Sequence, residues 1–382
     1  MKVCIARNAE ARTNADIARV ADALNGKADA ICLLTRNRNK IKGTRIKKIG
    51  YYINDTKILN YEINIKSELG KGLSNIFQLF FFQTVLFWWL LKNRDKYDFI
   101  HAFDLDVGLP VFLLSKLIKR KYVYHILDFY SDSRSALPVF LRSTIRKIEY
   151  IVINNAEATI ICTEDRINQI RGSNPKKLVV IHNTPSISVE IKKLLEEKSV
   201  TKEDEESIVF TYVGALSNTR FIEEAIEVIK EYPKITLNLA GMGKLTDHVK
   251  AMSSKYKNIN YYGVISYIDA IKLYLKTDFM FAIYNPDIPN HKYSAPNKVY
   301  EAMLLGKPII VAKGTGIDRI VVDNNMGLVI NYSKEDFENI IRSIIEKRID
   351  GRELGENASS AYNKYSWEEM KNRLIKVYCY EA

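Results

Sequence analysis

Two doubly wound α/β domains in tandem, each built on a parallel sheet, are predicted by three features of the sequence. Strand-like and helix-like patterns alternate through residues 1–187, a charged segment without a core pattern occupies 188–207, and the alternation restarts over 208–364. Repeated βα order implies parallel strands joined by right-handed crossovers. A chain of 382 residues exceeds one ordinary core and suits two. Two Rossmann-like sheets of this kind are expected to face each other across a cleft at their strand C-terminal ends, where such sheets bind ligands.

KVCIA opens the first domain as a strand, NADIARVADALN follows as an amphipathic helix, and ADAICLLT and YDFIHAFD read as further strands. VGLPVFLLSKLIKR is helical, KYVYHILD is a strand, and ATIICTE and KLVVIHN are strands around the helical EDRINQIR. The segment 188–207 is taken as a helix and a connection between domains. In the second domain, strands IVFTYVG, ITLNLAG, INYYG, DFMFAIY and KPIIVA alternate with helices FIEEAIEVIKEY, KLTDHVKAMSSKY, SYIDAIKLYLKT and the helical part of SAPNKVYEAMLLGKPIIV. Residues 365–382 are expected to form a terminal helix returning to the first domain.

The composition, 47% hydrophobic and 27% charged, excludes a largely disordered chain. The net charge of +12 is lopsided: residues 1–190 hold 30 Lys and Arg against 18 Asp and Glu, and residues 191–382 hold 27 of each. A basic half attracts phosphates, nucleic acid or an anionic membrane, and charge alone does not choose among them. Cys4, Cys32, Cys162 and Cys379 form no CxxC pair, which argues against a zinc site or disulfide framework and for a reducing, cytoplasmic location. MKVCIARNAEARTNADIA turns polar after one short strand and does not read as a signal peptide. Gly72–Leu91 carries no charge, but Asn75, Gln78 and Gln83 interrupt it, so it reads as a core helix or one dipped into a membrane face rather than a span.

The chemistry-bearing motifs sit at strand ends of the second half. TYVGALSNTR ends a strand at Gly214 and delivers Arg220 to the next helix, and LAGMGKL places Gly241 and Gly243 where backbone can approach a ligand. Pro296, Asn297 and Lys298 begin a helix whose free amides suit a phosphate, with Glu301 one turn on to accept hydrogen bonds from vicinal hydroxyls. Each also has a plainer reading, as turn chemistry or as a carboxylate complementing a helix dipole. No GxGxxG follows the first strand, which excludes the usual nicotinamide fingerprint. Basic and aromatic residues are not interleaved as in a nucleic-acid module.

YVGALSNTR, LAGMG, YYGVIS, FAIYNP, SAPNKVYEAMLLGKPIIV and YSWEEM together resemble the donor domain of retaining GT-B glycosyltransferases of family 4. The first half resembles that family's acceptor domain more loosely, through YDFIHAFD, KYVYHILDFYSD, ATIICTE and VVIHN. The resemblance implies a nucleotide diphosphate sugar as co-substrate, no cofactor and no metal. Glu301 would contact the ribose, Arg220 and Lys298 the diphosphate, and the base would lie near Val264. Ala215 stands where the family often has a second basic residue, and Tyr293, eight residues before Glu301, where it has a glutamate.

On the acceptor side, Leu127 aligns with a histidine that faces the reacting centre in many relatives, leaving His125 and Asp128 as neighbouring substitutes. His101, Asp104 and Asn14 are the other polar candidates, and Arg7 and Arg12 stand where glycines are usual. The expected activity is therefore retaining transfer of a sugar to an acceptor hydroxyl, with a lipid-linked or cell-surface glycan precursor as acceptor at the cytoplasmic membrane face. A GT-B sugar-nucleotide epimerase or hydrolase, and a non-catalytic partner subunit, are the alternatives.

Overall fold

The computed structural model describes residues 1–39, 44–53, 56–67, 75–134, 137–197 and 207–378. Parts of the 188–207 connection and of the charge-free run 72–91, and Cys379, lie outside the described residues. The chain divides into two units, Asn183–Glu369 and the remainder, so the second begins ahead of the 188–207 segment rather than after it.

In the first unit, β1 (Lys2–Ala6) and β2 (Ala30–Asn37) flank helix α1 (Ala15–Leu24). β3 (Ile46–Ile53) and β4 (Thr56–Asn64) were not anticipated. β3 pairs antiparallel with β4, while β4 pairs parallel with β2, so a hairpin extends an otherwise parallel sheet. Helices α2 (Ile76–Lys92), α3 (Asp104–Ile118) and α4 (Val139–Asn155) alternate with β5 (Phe99–Phe103), β6 (Lys121–His125) and β7 (Ala158–Ile161). One helical turn, α5 (Arg166–Gln169), leads to β8 (Leu178–Val180). The order is β3-β4-β2-β1-β5-β6-β7-β8, which puts the reversal of strand order between β1 and β5. From α2, Phe82, Leu86 and Leu90 enter the core beside Tyr124 and Val152.

Helix α6 (Val189–Glu197) precedes the second unit's sheet, whose strands are β9 (Ile208–Val213), β10 (Ile235–Ala240), β11 (Ile259–Tyr261), β12 (Phe279–Ala282), β13 (Ile309–Ala312) and β14 (Gly327–Ile330). Between them run α7 (Ile222–Ile229), α8 (Thr246–Lys255), α9 (Tyr267–Leu275), α10 (Asn297–Leu305) and α11 (Ile317–Asp323), followed by α12 (Lys334–Ile345) and α13 (Gly351–Tyr365). All pairings are parallel, in the order β11-β10-β9-β12-β13-β14. This is the doubly wound order in which ligands bind where the winding reverses, here between β9 and β12. Phe210, Phe281 and Phe337 knit the core beneath.

The last helix, α14 (Trp367–Tyr378), starts in the second unit and from Met370 belongs to the first. There Met370 Sδ accepts from His182 N–H at 3.1 Å, and Arg373 donates to the Val180 carbonyl at 3.3 Å. Lys371 lies 3.4 Å from the Asp22 carboxylate.

Candidate functional site

β9 delivers its chain end at the winding reversal, and Gly214 turns it there with φ +154°. A side chain at Gly214 would place its Cβ 2.9 Å from Lys298 Nζ, so the lysine reaches from the first turn of α10 to the loop after β9. The same ammonium lies 4.5 Å from the Tyr212 ring centroid. Arg220, at the end of that loop, stacks 3.5 Å from the Tyr284 ring centroid just beyond β12. Asn285 N–H donates to the Thr219 carbonyl at 3.2 Å and ties the two loops together. Two cations are thus held on two aromatic faces, an arrangement that favours a charge kept partly out of water.

Neither cation is spent. Arg220 Nη1 is buried without a hydrogen-bond partner, and among the described residues no carboxylate forms an ion pair with Arg220 or Lys298. Burial pulls the Lys298 ammonium down, but Tyr284, Tyr212 and Glu301 outweigh it and leave its pKa above the ordinary lysine value. It is therefore charged at neutral pH. Glu301 lies three residues on along α10, is buried, and acts electrostatically on both Lys298 and Tyr274. No side chain caps α10, which starts after the extended Pro296 at Asn297, so its first amides add to the positive end. A phosphate-bearing ligand suits this set.

Gly241 and Gly243 let two loops pack backbone against backbone. A Cβ on Gly241, whose φ is +127°, would fall 1.9 Å from the Gly214 carbonyl oxygen, and one on Gly243 2.2 Å from that of Leu216. The room they leave is filled by the neighbouring loop, not held open for a ligand, and Gly214 N–H donates to the Ala240 carbonyl at 2.9 Å. Val264 follows β11 and is exposed. Tyr293 closes a single 3-10 turn, His291–Tyr293, ahead of α10. A separate cleft of about 410 Å³ lined by Lys307, Pro308 and Arg352 opens at the N-terminal ends of β9, β12 and β13, away from these residues.

The polar candidates of the first unit mostly make hydrogen bonds within the chain. His101 is fully buried, with Nδ1 against the Tyr378 hydroxyl and Nε2 3.0 Å from His125 Nδ1. Burial lowers the His101 pKa to about 3, and burial followed by His101 holds His125 well below the ordinary value. Asp104, at φ +53°, accepts from the backbone N–H groups of Leu127 and Asp128 at 2.9 and 3.1 Å and so clamps the exit of β6. Burial, then Asp128, raises its pKa to about 7. Asn14 caps α1 by accepting from Ile17 N–H at 3.1 Å and also accepts from Arg7 at 2.5 Å. Asp128 and Arg12 remain exposed, and Leu127 is half-buried.

Comparison with known proteins shows what the chain is similar to. Residues 195–361 match the family model of glycosyl transferases group 1. The matched segment spans the whole second sheet, including Gly214, Arg220, Lys298 and Glu301. An uncharacterized glycosyltransferase of Methanocaldococcus jannaschii is 22% identical over 321 residues, covering 77% of this chain and 79% of its own. Among solved structures, sucrose-phosphate synthase from Thermosynechococcus elongatus superposes with a TM-score of 0.74 at 14% identity, covering 98% of both chains. Anabaena HepE in complex with UDP and glucose does so with a TM-score of 0.69 at 17% identity, again over 98% of both. The fold is that of the GT-B glycosyltransferases, two parallel-sheet Rossmann-like domains, as the sequence led us to expect.

Tyr212 and Tyr284, which back the two cations, escaped the sequence reading. Each lies within two residues of a strand's C-terminal end, where an aromatic reads as core.

Proposed function

We propose that the protein is a retaining glycosyltransferase that moves a sugar from a nucleotide diphosphate sugar to an acceptor hydroxyl without a metal. The carrying observation is the placement of Arg220 and Lys298, neither in an ion pair among the described residues, at the winding reversal of the second sheet, with Glu301 acting on Lys298. In this reading Glu301 accepts from the ribose hydroxyls, and the two cations with the α10 amides receive the diphosphate. As the bond from the anomeric carbon to the phosphate oxygen breaks, negative charge grows on the diphosphate, and the same donors stabilise it most at that point. The acceptor oxygen bonds to the anomeric carbon on the face being vacated, and its proton passes to the departing phosphate oxygen. Retention and the leaving phosphate's role as base come from the family 4 resemblance.

The acceptor is proposed to be a glycan precursor, lipid-linked and presented at the cytoplasmic face of a membrane, which the basic first half favours. A non-catalytic partner subunit is the second reading, favoured by Tyr293 in the place of a glutamate.

The test is thermal stabilisation across a panel of nucleotide diphosphates and their sugars, followed by turnover with the stabilising sugar nucleotide and mixed glycan acceptors. Stabilisation by one nucleotide family, diminished in Glu301→Ala, with glycoside product formed, is the expected result. Binding without product under any acceptor, or no binding to any of the panel, sinks the transferase reading and favours the second.

A further inference from the structure

The first unit carries an apolar face that the donor site does not explain. α2 is 17 residues long and its single charge is Lys92. Phe82, Leu86 and Leu90 turn inward, but Phe77, Phe80 and Trp88 are 82%, 72% and 52% exposed. These three fall on one stripe of the helix, at the spacing that ordinarily carries charge on a surface helix. α3 packs against α2 and α4 against α3, and Leu113 and Leu117 of α3 and Val139 and Phe140 at the start of α4 are also exposed.

Charge on these helices is sorted by side. The acids are engaged within the unit: Asp104 accepts from the backbone N–H groups of Leu127 and Asp128, Asp106 accepts from Asn8 at 2.6 Å, and Glu149 accepts from the Tyr124 hydroxyl at 2.8 Å and Tyr130 N–H at 3.0 Å. The cations point outward: Lys92, Lys116 and Lys147 are exposed, and the Arg45 guanidinium sits 4.4 Å from the Phe81 ring centroid. Large exposed aromatics rimmed by cations, with the acids withdrawn, match an anionic bilayer surface, where rings enter the acyl boundary and ammonium groups meet the headgroups. A second copy of the chain fits poorly, because a two-fold contact through this face would set its cations against themselves. Among the described residues no helix is long and apolar enough to cross a membrane.

We propose that the outer face of α2, α3 and the start of α4 docks on anionic lipid, with Phe77, Phe80, Trp88 and Phe140 as the inserting residues. The face is argued from the first unit alone. Only its purpose, bringing the protein to a lipid-linked acceptor, rests on the glycosyltransferase reading.

The full chain would be floated with phosphatidylcholine vesicles, with and without phosphatidylglycerol, in the absence of any sugar nucleotide. Binding to the phosphatidylglycerol vesicles alone is expected, weakening at high salt. Phe80→Ser/Phe140→Ser should partition at least about tenfold more weakly, on the scale of two large side chains no longer buried, while its thermal midpoint stays near that of the parent. Trp89 and Trp367 are buried, so brominated acyl chains should quench Trp88 and the quenching should vanish in Trp88→Phe. No vesicle binding, binding that the double serine variant retains, or unquenched Trp88 each overturns the proposal. So does a dimer in light scattering that Phe80→Ser dissolves. The donor panel is read on the same protein without lipid, so failure of one reading is distinguishable from failure of the other.

Discussion

His101 Nε2 and His125 Nδ1 lie 3.0 Å apart in the buried centre of the first sheet, and the other nitrogen of His101 meets the hydroxyl of Tyr378 from the last helix. A neutral imidazole has one donor and one acceptor, so the chain Tyr378–His101–His125 can be satisfied with both rings uncharged. His125 Nε2, at its far end, is buried without a partner. The pair therefore joins β5, β6 and α14 as a neutral polar strut.

A pH dependence of stability follows. His101 has a folded pKa of about 3 against an ordinary 6.5, so between those values the unfolded chain binds a proton that the native one does not. Stability contributed by the neutral ring is complete above about 6.5 and falls as pH drops, by up to about 1.4 kcal/mol per pH unit. Asp104 and Glu149, raised by burial to about 7 and about 8, slope the other way, so the effect is read as a difference between proteins. His101→Gln should be less stable than the parent by about 1–3 kcal/mol near neutrality, with the gap closing as pH falls below about 6.5. A gap in denaturant midpoints that does not change with pH would show that His101 is not held neutral.

Lys298→Met separates ligand binding from stability. Loss of a charged hydrogen-bond donor should weaken nucleotide diphosphate binding by about 1.5–3 kcal/mol. Stability should change little, because the methionine fills similar space and the burial cost of the ammonium is already offset by Tyr284, Tyr212 and Glu301. Titration calorimetry returning the parental affinity would remove Lys298 from the site.

The clustering of Arg220, Lys298 and Glu301 near strand ends was expected from local signals, a cation one loop beyond a strand, a helix start and a carboxylate one turn later, each with a plainer reading that only the family resemblance set aside. The aromatic backing by Tyr212 and Tyr284 was not, since strand-end aromatics resemble core until the strand order is known. The hydrogen-bond partners of His101 and Asp104 were hidden for a related reason. Polar residues at strand ends suggest a ligand, and nothing in HAFD shows that Tyr378, far along the chain, returns to occupy the histidine. The hairpin of β3 and β4 went without a reading, because the charged positions of IKKIGYYI blur its strand pattern until a partner strand is known.

Gly241→Ala should disrupt the second unit from its strand ends. The new Cβ would fall 1.9 Å from the Gly214 carbonyl oxygen at a φ of +127°, so both loops must shift. A cost of about 2–4 kcal/mol is expected, together with weakened donor binding, because Lys298 Nζ occupies the space that Gly214 leaves and a shift of that loop would displace it. Calorimetric unfolding at the parental temperature would mean that the two loops are not packed in this way.

Arg220→Ala and chelation probe the same question from opposite sides, namely what neutralises the leaving diphosphate. If Arg220 does so, its removal should slow turnover by roughly tenfold or more, the scale for deleting one preorganised donor, with a smaller change in ground-state donor affinity. Treating the parent with a chelator should then leave the rate unchanged, since the countercharge is supplied by Arg220, Lys298 and the α10 amides. A rate that collapses in chelator and returns with magnesium would transfer that role to a metal. Parental turnover in Arg220→Ala would leave its stacking on Tyr284 as a structural contact alone.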